Sequence, residues 1–148
     1  MNNAADLGPL LGPLRRSVLR ATRRAADLPD LAEAQIELLR ALRDGPASPG
    51  AVAQRLRVSP STVSNLVRTM AAQGLVARES SASDLRGAQL SSTGAARALL
   101  TRYDRASRDM LEQALGSLPP ESQVRLSAAI PDLRALLQVL EDGADRRE

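Results

Sequence analysis

Cysteine, histidine, tryptophan, phenylalanine and lysine are all absent from this sequence of 148 residues. Without cysteine there can be no disulfide, thiolate nucleophile, redox switch or thiolate metal site. Without histidine the chain lacks the usual general base and the commonest transition-metal ligand. Tyr103 is the single aromatic residue, which leaves no platform for stacking bases in the manner of single-strand binders. Long apolar runs are missing as well: none approaches the roughly 18 residues that a membrane span needs. The stretch Met1–Asp6 has no basic region followed by an apolar one. The expectation is a cytoplasmic chain with no signal peptide, no membrane partner, no metal and no cofactor.

What is present is more specific. All 20 basic residues are arginine. A GC-rich coding sequence produces such a composition, and it also supplies planar guanidinium forks suited to phosphate and guanine. The net charge is only +3, so the distribution of charge says more than its sum. The length fits one compact domain, or a small module fused to its own oligomerisation helices. A core of this size forms without covalent staples, because about two thirds of the unfolded surface can be buried.

Hydrophobic periodicity divides the chain into helices at both ends and a different pattern in the middle. Over residues 7–26, Leu7, Leu11, Leu14, Val18, Ala21 and Ala25 recur at spacings of four and three, a narrow stripe of coiled-coil type. Pro9 and Pro13 place the start of regular helix near Pro13. After the break at Leu28-Pro29-Asp30, a second helix is expected over 31–43, stopped by Asp44-Gly45-Pro46. Short helices follow at 48–56 and 60–73, ending at Gly74. Residues 75–78 and 88–91 read as strands around a serine-rich turn. A long helix is expected over 92–116 and a last one after Ser117-Leu118-Pro119-Pro120, kinked or broken at Pro131 and stopped at Gly143, with a frayed tail beyond.

The central fifty residues carry the functional signal. Ser48-Pro49 and Ser59-Pro60 each place a capping hydroxyl before a proline in the first helical turn. In the second of these helices Val63, Leu66, Val67 and Met70 form an apolar stripe. Ser61, Thr62, Asn65, Arg68 and Thr69 fall on the opposite face. Hydroxyls near a helix N-terminus can meet DNA phosphates with the help of the helix dipole. An asparagine can bond adenine bidentately, and an arginine can reach guanine or a phosphate. Residues 45–78 contain Arg55, Arg57, Arg68 and Arg78 and no acid, so this segment carries +4 and the rest of the chain sums to −1. Such segregation is the electrostatic footprint of a DNA binder. A helical hairpin with a merely polar outer face would share the hydroxyls.

The run Gln35–Leu42, Val52–Leu56, Ser61–Ser64 and Gly74–Arg78, followed by Asp84-Leu85-Arg86 and the strand to Thr93, resembles the MarR family of regulators. The resemblance implies a mainly α fold with a small β-hairpin wing: a winged helix-turn-helix flanked by N- and C-terminal dimerisation helices. It assigns residues 1–30 to an N-terminal dimerisation helix, 31–95 to the DNA-binding module and 96–148 to C-terminal dimerisation helices, in one intertwined fold. Ser59, Ser61, Thr62, Ser64, Asn65 and Arg68 become recognition-helix contacts, and Arg78, Asp84 and Arg86 wing contacts. Arg86 would enter the minor groove, where narrow A·T-rich tracts favour arginine. The sequence departs from the family's pattern at Ser92, where Leu is usual, at Ala96, where Gly is frequent, and at Leu85, which often is a second Arg.

The function so implied is that of a dimeric, sequence-specific transcription regulator, a repressor in the first instance, on a short inverted repeat of double-stranded DNA. A small aromatic or anionic effector could release it, with Tyr103, Arg16 and Arg20 as candidate ligand contacts. The alternative is an architectural or protein-binding regulator with the same fold and little DNA sequence preference. An enzyme is not expected, since there is no Gly-x-Ser-x-Gly elbow, phosphate-binding loop, His or Cys.

Overall fold

A computed structural model describes residues 3–25, 27–80 and 87–145. Six helices and one hairpin follow in the order α1 (Asn3–Ala25), α2 (Glu33–Ala41), α3 (Pro49–Leu56), α4 (Pro60–Ala72), β1 (Val76–Ser80), β2 (Ala88–Ser92), α5 (Gly94–Gly116) and α6 (Pro120–Asp145). The fold is mainly α with a small antiparallel hairpin, as the sequence implies. Two compact units are distinguished, residues 1–108 and 109–148.

In the first unit α2, α3 and α4 pack on one another, α4 meets β1, and α3 meets β2. Leu38, Leu39, Leu42, Val52, Val63, Met70 and Leu90 are essentially withdrawn from solvent, each worth about 1.5–3 kcal/mol of apolar burial. Local chemistry sets the element ends. Ser48 Oγ accepts from the Ala51 N–H at 3.2 Å, and Ser59 Oγ accepts from the Thr62 N–H at 3.2 Å, each ahead of a proline at the first helical position. At the end of α4, Gly74 takes φ of +70°, and the Leu75 N–H returns to the Met70 carbonyl at 2.9 Å. This is the left-handed turn that glycine makes at least cost.

The hairpin is antiparallel, with Arg78 opposite Leu90 and Val76 opposite Ser92. Ala47 adds a single bridge to Leu90, exchanging bonds of 3.0 and 2.8 Å. Ser92 is buried, and its hydroxyl donates to the Leu42 carbonyl at 3.4 Å.

The expected bounds of three helices are corrected. Helix α1 begins at Asn3 rather than near Pro13, with Pro9 and Pro13 inside it. Both prolines lie on exposed positions, where water can take the carbonyls that lose an N–H partner. Helix α6 runs through Pro131 and Gly143 to Asp145, and Pro131 is again exposed. The second helix is shorter than 31–43, because Leu31 is buried from the preceding loop rather than from a helical turn.

In the second unit the large apolar side chains face solvent in the single chain. Leu126, Ile130, Leu133, Leu137 and Leu140, spaced four and three along α6, are all exposed, Leu137 at 57% and Leu140 at 61%. No described helix is long and apolar enough to cross a membrane.

Candidate nucleic-acid interface

The geometry of α4 separates its two faces completely. Val63, Val67 and Met70 are buried and Leu66 is half-buried, whereas Ser61, Thr62, Ser64, Asn65, Arg68 and Thr69 are exposed. Ser59 is exposed as well. Its hydroxyl lies 2.9 Å from both the Ser61 and the Thr62 hydroxyls, so three hydroxyls converge at the helix N-terminus. The Thr69 hydroxyl donates to the Asn65 carbonyl at 3.1 Å and is thereby occupied. The side chains of Ser64, Asn65 and Arg68 make no hydrogen bond or ion pair among the described residues. Their donors and acceptors are open to a ligand.

The connection between α3 and α4 fixes the angle at which this face is offered. Arg57 caps α3 in the left-handed conformation, φ 53°, and the Val58 N–H bonds the Ala53 carbonyl at 3.1 Å. Ala53 is buried, and Leu56 and Val58 pack partly buried against the same core. The tight turn expected from their spacing is therefore made, but by an arginine where glycine is the usual choice.

Of the wing residues, Arg78 is exposed on β1. Asp84 and Arg86 lie outside the described residues. The base of the wing is held by a residue whose role the sequence reading left unassigned. The Thr93 hydroxyl donates to the Gly74 carbonyl at 2.8 Å and accepts from the Ala96 N–H at 3.1 Å. A threonine three residues ahead of a helical N–H is a capping signal, and it is legible in the sequence once α5 is known to begin at Gly94. Arg97 adds a bond from Nη1 to the Ser92 carbonyl at 2.6 Å.

The three candidate ligand residues differ in their surroundings. Tyr103 is 3% exposed and its hydroxyl donates to the Pro29 carbonyl, while Arg16 and Arg20 lie on the exposed side of α1. A cavity of about 310 Å³ lies elsewhere in the first unit, lined by Arg15, Glu33, Ala34, Glu37, Arg55, Leu56, Val58 and Leu66. None of the three lines it. Among the described residues no three His, Cys, Asp or Glu side chains come together as a metal site would require.

A helix-turn-helix followed by a two-stranded hairpin, with an open polar face on its second helix, defines a winged helix-turn-helix protein. Residues 26–87 match the model of the MarR family. The structure is similar to that of a MarR family protein from Bacillus stearothermophilus, with a TM-score of 0.73 and 20% identity, over 93% of this chain and 99% of that one. It is similar to the transcriptional regulator BldR from Sulfolobus solfataricus, with a TM-score of 0.64 and 19% identity, over 96% and 99% of the two chains. It is also similar to BpsR from Bordetella bronchiseptica, whose DNA binding is regulated by 6-hydroxynicotinic acid, with a TM-score of 0.61 and 23% identity, over 87% and 98%. A comparison with curated protein sequences finds no significant match.

Proposed function

We propose that this protein is a dimeric transcription regulator that binds a short inverted repeat of double-stranded DNA sequence-specifically and acts as a repressor. The observation that carries this reading is the exposed, acid-free face of α4, on which Ser64, Asn65 and Arg68 keep their side-chain groups unpaired among the described residues. Ser59, Ser61 and Thr62 meet phosphates at the helix N-terminus, Asn65 and Arg68 read base edges, and Arg78, Asp84 and Arg86 form the wing contact. Residues 31–95 serve as the DNA-reading module.

Pairing uses residues 1–30 and 96–148. The apolar stripe of α6 is exposed in one chain, and a helix with such a stripe is stable when the stripe is buried. A two-fold pairing of chains buries it and sets two recognition helices about 34 Å apart, one turn of DNA. A small organic effector releases the DNA, a reading supported by the regulation of BpsR by an aromatic acid. The protein acts by binding rather than catalysis, in the cytoplasm.

The test is selection of bound sites from random duplex DNA, followed by affinity measurement on the selected site and on random duplex. An inverted repeat preferred by about a thousandfold or more is expected. Equal affinity for both, with the same salt slope, would replace this reading by that of an architectural or protein-binding regulator.

A further inference from the structure

Two successive residues of α5 hold the two ends of α2. The Tyr103 hydroxyl donates to the Pro29 carbonyl ahead of α2, and the Asp104 carboxylate meets two arginines at its far end. Arg40 stands in the last turn of α2, and Arg43 follows the C-cap Leu42. Each takes its own carboxylate oxygen. Arg40 Nη2 lies 3.3 Å from Asp104 Oδ1, and Arg43 Nη2 bonds Oδ2. Arg40 is fixed from its other side as well, by Glu37 Oε1 at 2.9 Å from Nη1.

Between these two attachments, Ile36 and Leu39 of α2 and Leu99, Leu100 and Ala106 of α5 belong to one buried cluster. Apolar burial supplies the stability of such a join but is non-directional, so packed helices can shear past one another. Charge-assisted hydrogen bonds add geometric specificity. The Asp104 side chain is 34% exposed, and ion pairs so exposed add little to stability. Their contribution is orientation: attachment at both ends of a nine-residue helix sets the angle at which α2 crosses α5. Because α4 packs on α2, its outer face turns with that angle.

We propose that Asp104 is a positioning residue for DNA recognition: by holding Arg40 and Arg43 it fixes α2 on α5, and with it the separation of half-sites that a pair of chains accepts. The inference rests on the dimeric DNA-reading role proposed above, in which α2 belongs to the reading module and α5 to the pairing helices. One inserted base pair moves a half-site by about 3.4 Å and turns it by about 35° around the DNA axis. A join fixed at both ends resists that displacement, whereas a join held by apolar packing alone yields to it.

Operators carrying the selected half-sites at their selected spacing, and with one base pair inserted or removed, test the proposal. Wild type should lose about tenfold or more in affinity on the altered spacings, and Asp104→Asn no more than about threefold. On an isolated half-site the two proteins should agree within about twofold. Arg43→Gln, which breaks one of the two pairs from the α2 side, should relax the spacing in the same direction. Thermal unfolding of each variant checks that it is folded. Equal spacing penalties in wild type and both variants would overturn the proposal. So would a loss by Asp104→Asn that is as large on the half-site as on the operator, because such a loss is a defect of contact or folding rather than of spacing.

A second arm needs no DNA. The chain has no cysteine, so Gln54→Cys on α3 and Arg108→Cys on α5, both at exposed positions, give unique sites for nitroxide labels. With labelled chain diluted in unlabelled chain, pulsed electron–electron resonance should give one narrow distance with Asp104 present and a broader or second one in Asp104→Asn. An unchanged distribution would overturn the fixed join. Absence of any selected DNA site, with the distance broadened as expected, would overturn the DNA-reading role and leave the join standing.

Discussion

The Thr93 hydroxyl donates to the Gly74 carbonyl across 2.8 Å, tying the residue that opens α5 to the glycine that closes α4. Gly74 lies at the left-handed end of α4, and Thr93 follows the last residue of β2. One hydroxyl therefore joins α4, the hairpin and α5, and it completes the join by accepting from the Ala96 N–H.

Thr93→Ala removes both bonds and should destabilise the fold by about 1–2 kcal/mol. Thr93→Ser should recover most of that loss. Urea unfolding of the two variants checks the expectation; equal stability of Thr93→Ala and wild type would show that the join contributes nothing.

The two faces of α4 should respond differently to truncation. Met70→Ala, at a fully buried position, should cost about 2–5 kcal/mol of stability through the cavity it leaves. Asn65→Ala should leave stability within about 0.5 kcal/mol but cost about 1–3 kcal/mol of DNA affinity and relax preference at one base pair. An unaltered operator profile would remove Asn65 from the base-reading set.

For the wing, Arg86→Ala is expected to weaken binding to sites with A·T-rich flanks more than to G·C-rich ones, with the dimer intact. Competition binding on the two flank types, alongside sedimentation, tests this. No change on either flank would mean that Arg86 does not enter the groove.

Leu133→Glu and Leu137→Glu place charges in the exposed stripe of α6. If that stripe is the dimer seam, these variants should sediment as monomers and lose preference for an inverted repeat over a half-site. Dimers of wild-type stability would place the seam elsewhere.

Tyr103→Phe deletes the hydroxyl that bonds the Pro29 carbonyl and should cost about 0.5–1.5 kcal/mol, measured by denaturant unfolding. A wild-type midpoint would show that water satisfies that carbonyl.

Much of the winged module is determined by sequence alone, because its signals are local. The serine–proline pairs at 48–49 and 59–60 specify two helix starts, and Gly74 specifies a stop. The spacing of Val63, Val67 and Met70 specifies which face of α4 turns inward, and so which side chains are offered outward. The absence of His and Cys is equally a property of sequence. Other features depend on contacts between residues far apart in the chain, which no local pattern encodes. Tertiary structure withdrew Tyr103 from solvent against Pro29, gathered Arg15, Glu33, Arg55 and Leu66 around one cavity, and closed Thr93 onto Gly74. It also carried α1 and α6 through their prolines, because a proline at an exposed position leaves its orphaned carbonyl to water rather than to the core.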